Sequence, residues 1–81
     1  MKPHLTLLVV DDEASVRNFM KTALESADFR VLAACDGQEG LEVFAANRGE
    51  IRAVVLDLTM PRMDGWEVLA RLRAIDPDLP V

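Results

Sequence analysis

Two apolar runs in this chain each end in aspartate, and that constrains the fold more than any other feature. Leu5-Thr6-Leu7-Leu8-Val9-Val10 leads into Asp11-Asp12-Glu13, and Ala53-Val54-Val55-Leu56 leads into Asp57. Each run has the length of a buried strand. If the two strands are parallel neighbours, their carboxyl ends lie together and three carboxylates converge on one small volume. Like charges so placed cost free energy unless a cation or a proton intervenes. The pattern therefore marks a site as well as a sheet.

The rest of the chain alternates helices with strands. After the strand over 5–10, a helix is expected from about residue 13 to 27. Val16, Phe19, Met20, Ala23, Leu24 and Ala27 fall at spacings of three and four, which predicts one buried face. Asp11 or Asp12 can cap its first turn. Phe29 to Ala34 forms a second, shorter strand. Asp36 lies three residues ahead of Glu39, a capping-box pattern opening a second helix over about 37–47. Its stripe is Leu41, Phe44 and Ala45, and Asn47-Arg48-Gly49 is expected to stop it, with Gly49 free to adopt a positive φ. A third strand covers 53–57. Leu58 to Met63 reads as a loop broken by Pro61. Asp64 and Glu67 repeat the capping pattern at the start of a third helix lined by Val68, Leu69, Leu72 and Ile75. Asp76-Pro77 ends it, and Leu79-Pro80-Val81 resembles the approach to another strand.

Strands separated by helices imply right-handed βαβ units, hence an α/β fold with a parallel sheet between two helical layers. With 81 residues there is room for one domain at most. An apolar share of 51% fits a folded chain. The net charge of −5 and the lack of a basic stripe argue against direct nucleic-acid binding. No apolar stretch approaches the length needed to span a membrane, and the N-terminus has no signal-peptide core. The single cysteine, Cys35, has no disulfide partner, which fits a cytoplasmic compartment.

In a doubly wound sheet, ligands bind at the carboxyl ends of the strands where the strand order reverses. If the first strand is central, with the second and third on either side, the reversal falls between the strands ending in Asp11-Asp12 and Asp57. Oxygen-only donors suit a hard cation such as Mg²⁺. A carboxylate beside such a cation can act as a nucleophile toward phosphorus.

Several motifs together resemble the receiver domain of two-component response regulators. They are Val9-Val10-Asp11-Asp12-Glu13, Leu56-Asp57, Met60-Pro61-Arg62-Met63-Asp64-Gly65, and Asp36-Gly37 with Leu41. The resemblance implies a flavodoxin-like architecture of strand order 2-1-3-4-5. Residues 1–81 would be its first three βα units, ending at the start of strand four and lacking the last two strands and helices. It implies that Asp57 accepts a phosphoryl group from a sensor histidine kinase. It also implies that Asp12 and Asp57 bind Mg²⁺ directly, that Asp11 assists through water, and that the Thr59 backbone carbonyl is the remaining protein ligand. Such a chain is a phosphoacceptor rather than an enzyme, with at most weak self-catalysed phosphoryl transfer. The family's Ser/Thr after strand four and Lys after strand five are absent from these 81 residues. Phosphorylation of the isolated chain by acetyl phosphate is therefore expected to be slow or absent.

The alternative from another class is a switch-deficient receiver scaffold that serves as a binding or oligomerisation module. It would self-associate through the exposed third strand and apolar faces. A phosphatase of the aspartate-nucleophile type would want a second acid two residues after the first, where Thr59 stands. Other residues have plainer readings. Asp64 is a helix cap, Trp66 belongs to packing or an interface, and Cys35 is inert. His4 is an exposed terminal residue, and Arg71 and Arg73 form a solvated helix face.

Overall fold

A computed structural model describes residues 4–57 and 64–81. The elements are β1 (Thr6–Val10), α1 (Ala14–Ser26), β2 (Arg30–Ala34), α2 (Gly37–Ala46), β3 (Ile51–Leu56) and α3 (Gly65–Ile75). The order and type match the sequence reading, with boundaries moved by one or two residues. The expected loop over 58–63 lies outside the described residues.

The sheet has the order β2-β1-β3, with both pairings parallel. β1 is central, and all five of its residues are buried. A central strand carries no free edge and needs apolar residues on both faces, which explains the apolar run from Leu7 to Val10. Right-handed crossovers then assign the helices. The step from β1 to β2 runs one way across the sheet and the step from β2 to β3 runs back, so α1 and α2 lie on opposite faces.

One face holds the main core: Leu8 and Val10 of β1, Ala34 of β2 and Val54 of β3 pack with Phe44 of α2 and with Val68 and Leu72 of α3. Ile51 joins this core because the β1–β3 register shifts by one residue between Thr6 and Leu7. The extra residue breaks the strict alternation of β3, so Ile51 and Val54 both point inward. Leu79 is buried in the same cluster, and Val54 N–H donates to Pro80 O at 2.9 Å. The approach to another strand expected over 79–81 thus begins to pair with the outer edge of β3.

Local chemistry explains two of the three helix starts. Asp36 accepts from Glu39 N–H at 2.8 Å and Asp64 from Glu67 N–H at 2.9 Å, as the capping patterns predict. The first helix corrects the sequence reading. Neither Asp11 nor Asp12 caps α1; its N-cap is Glu13, without a side-chain bond. Asp11 Oδ1 instead accepts from Glu13 N–H at 2.9 Å, one residue too early to serve the helix. An Asx turn has taken the place of the cap.

The expected buried face of α1 is also corrected. No residue of α1 is fully buried: Met20 and Leu24 are half-covered, while Ala23, like Ala27 just beyond the helix, is exposed. Phe19 is 71% exposed and Val16 40%. Periodicity identifies the apolar side of a helix but not how much protein lies beneath it. The α1 helix packs mainly on β2 and β1. Phe44, predicted as core by the same rule, is 1% exposed because α2 is closed over by α3. In α2, Leu41 is half-buried and Ala45 exposed; in α3, Val68 and Leu72 are buried while Leu69 is half-covered and Ile75 largely open. Trp66, in the first turn of α3, is also exposed.

The stop expected at Asn47-Arg48-Gly49 is present, but Gly49 does not use its freedom to take a positive φ; no described glycine has one. The helix ends at Asn47, whose Nδ2 donates to Val43 O at 2.9 Å. The left-handed residue is Asp28, φ 70°, in the turn between α1 and β2. Aspartate tolerates that region better than most residues.

Gly40 of α2 sits directly over Val10. A Cβ built there would lie 2.9 Å and 3.2 Å from the two Val10 methyls. Gly40→Ala gains about 1 kcal/mol in helix propensity but overpacks a core contact, at about 1–3 kcal/mol. The expected outcome is a net loss of stability, read as a lower urea midpoint with an unchanged slope.

Candidate functional site

The site lies at the carboxyl ends of β1 and β3, where the strand order reverses. The sheet fixes its backbone. Asp11 N–H donates to Ala34 O at 3.1 Å, and Asp57 N–H donates to Val10 O at 3.0 Å. Each aspartate is therefore held by the ladder of the neighbouring strand at the point where regular pairing stops. Val10 is in register with both Ala34 and Leu56, so the residues that follow them share one level.

Asp11, Asp12 and Asp57 each offer a carboxylate oxygen within 4.8 Å of the others. Asp11 and Asp57 are half-buried and Asp12 is exposed. The structure thus brings together three of the four expected site residues. The fourth, Thr59, lies outside the described residues. The donors are all hard oxygens, open to solvent on one side. That set fits Mg²⁺, which keeps several waters and takes one or two carboxylates.

The nitrogen and sulfur candidates stand apart. His4 is near the amino end of the sheet, and its Nδ1 is 2.7 Å from Asp28 O. Cys35 follows β2 and is exposed. Its Sγ lies 3.7 Å from Glu39 and 3.9 Å from Asp36. Partial desolvation and the nearby Glu39 and Asp36 carboxylates raise the thiol above its usual value, with Arg17 acting in the opposite sense. Arg71 and Arg73 behave as a helix face: Arg71 pairs with Glu67 at 3.1 Å, and Arg73 donates to Pro77 O at 3.3 Å and to Leu79 O.

One participant escaped the sequence reading. Arg17 Nη1 donates to Asp11 O at 2.9 Å. Arg17 is the fourth residue of α1, and helical side chains point back toward the N-terminus. A long cation in the first turn after an acidic strand end was the available signal.

The family model for the response regulator receiver domain matches residues 7–81. The chain belongs to this family. The receiver domain is 44% identical, over 93% of its length, to the response regulator MprA of Mycolicibacterium vanbaalenii, of which it covers 32%. It therefore spans about a third of the curated relatives it matches. A receiver domain from Clostridium thermocellum superimposes with a TM-score of 0.86 at 35% identity, covering 89% of this chain and 57% of that one. The response regulator TrrA of Thermotoga maritima, solved with Mg²⁺ and beryllofluoride, gives 0.84 at 34% identity, covering 90% and 62%. The receiver domain thus has the flavodoxin-like fold expected of it and is of the kind that response regulators of two-component systems carry. Receiver domains generally bind Mg²⁺ at an acidic site and are generally phosphorylated by sensor histidine kinases. Among the described residues no helix is long and apolar enough to cross a membrane.

A raised thiol pKa lowers the thiolate fraction and slows alkylation. Iodoacetamide labelling of Cys35 at pH 8, followed by mass spectrometry, is expected to run slower than labelling of an unstructured cysteine peptide. Glu39→Gln is expected to speed it.

Proposed function

We propose that this receiver domain is a phosphoacceptor in which Asp57 takes a phosphoryl group from a sensor histidine kinase. Mg²⁺ would be held by Asp12, Asp57 and the Thr59 backbone carbonyl, with Asp11 assisting through water. The observation that carries the reading is the gathering of the three carboxylates at the reversal of strand order. Three like charges this close are costly in the absence of a cation.

In the proposed transfer a carboxylate oxygen of Asp57 attacks phosphorus and the P–N bond to the kinase histidine breaks. The bonding pair returns to the ring nitrogen. With its other nitrogen protonated, the imidazole leaves neutral. Bound Mg²⁺ supplies positive charge that offsets repulsion between the carboxylates and the transferring oxygens. Asp57 is suited to its part because its backbone is pinned to Val10. The chain is consumed as an acceptor and is not itself a turnover enzyme. This reading carries a cytoplasmic location, where Cys35 stays reduced.

Calorimetry is expected to give one Mg²⁺ site per chain, weakened at least tenfold by Asp12→Asn. Phosphotransfer from a labelled histidine kinase is expected to mark Asp57, slowly, and to be abolished by Asp57→Asn. Label that persists in Asp57→Asn overturns the assignment.

A second reading is favoured by the exposure of Phe19 and Val16 on α1 and Val55 on β3. Val55 is in register with Val9, on the sheet face opposite the main core and hence on the α1 side. We propose that the isolated chain self-associates through this face and the part of the β3 edge that the Val54–Pro80 bond leaves uncovered. Light scattering over a dilution series should show mass rising with concentration, and Phe19→Ser should suppress the rise. A well-folded monomer throughout contradicts it.

A further inference from the structure

The turn Asp11-Asp12-Glu13 carries two of the three clustered carboxylates, yet α1 beyond it has no side-chain N-cap and no fully buried residue. Mutual repulsion pushes the carboxylates apart. Something has to keep the turn folded over the sheet. Three bonds converge on Asp11: its N–H to Ala34 O, its Oδ1 from Glu13 N–H, and its carbonyl from Arg17 Nη1 at 2.9 Å. The first ties the turn to β2, the second curls it on itself, and the third ties it to α1.

Of these, only the third comes from a side chain outside the turn. Arg17 is half-buried and makes no ion pair among the described residues. Its backbone N–H closes the first helical bond onto Glu13 O at 2.9 Å. A guanidinium donating to a carbonyl forms a charge-assisted bond, stronger than a neutral one.

We propose that Arg17 is a positioning residue for the acidic site: by holding the Asp11 carbonyl it keeps Asp11 and Asp12 within reach of Asp57. The inference rests on the metal-binding reading above and adds to it a residue that is not a ligand. It makes a prediction of sign. A cation beside a Mg²⁺ site repels the metal, so if Arg17 acted only through its charge, removing it would tighten binding. If it acts as a strut, removing it loosens binding. Partners that orient metal ligands are typically worth 10–100-fold in affinity.

Two readouts on the whole chain test this. In calorimetric titrations with Mg²⁺ alone, Arg17→Ala is expected to weaken binding about tenfold, with Arg17→Lys between it and the unmodified chain. In metal-free amide exchange, the Glu13 N–H is expected to exchange about tenfold faster in Arg17→Ala. Buried amides of β1 should keep their protection, which also reports that the variant is folded; if it is not, Arg17→Lys carries the same comparisons. Tighter or unchanged Mg²⁺ binding in the variants overturns the proposal. So does unchanged Glu13 exchange. If the unmodified chain takes up no Mg²⁺, the metal reading fails on its own, while the exchange measurement still decides whether Arg17 holds the turn.

Discussion

The parallel pairing of β1 with β3 is the interaction on which the rest depends. It aligns Val10 with Leu56, so the residues that follow both strands emerge at the same level. It makes β1 a central strand and leaves the crossover helices no choice but to cover opposite faces. The topological reversal then falls beside the strand ends that carry acid. A slip of one residue would turn the inward side chains of β3 outward. The shift at Thr6 and Leu7 is confined to the amino end of the pair, far from the carboxylates, so register at the site end is undisturbed.

Much of this was legible in the residues, for identifiable reasons. The strands were visible because β1 and β3 are apolar over nearly their whole length. The starts of α2 and α3 were visible because an Asp and a Glu three apart have one favourable local arrangement, and Asp36 and Asp64 both adopt it. The clustering of Asp11, Asp12 and Asp57 followed once β1 was placed between β2 and β3, an order that the resemblance implied. The strand runs and the caps are local or nearly local signals, and tertiary packing did not override them.

The failures have physical reasons of their own. Phe19 and Phe44 look alike in sequence, each on an apolar helical stripe. Only Phe44 has a second helix closing over it, and the stripe carries no information about that. Asp11 looked like a cap, but the Asx turn with Glu13 is a competing local structure of similar cost. The stop at Asn47-Arg48-Gly49 was legible, but it works through the Asn47 side chain, so Gly49 has no need of a left-handed backbone. Arg17 went unnoticed because its partner is a main-chain carbonyl, which every residue has.

The thin cover of α1 has a thermodynamic consequence. An element with few buried contacts opens at low free-energy cost, ahead of the global transition. Its first turn is bonded to the segment that carries Asp11 and Asp12, so fraying of α1 and loosening of the acidic site belong to one local equilibrium. Any ligand that favours the closed arrangement draws that equilibrium toward order. Occupancy of the site would then be registered along a surface helix whose residues never touch the ligand.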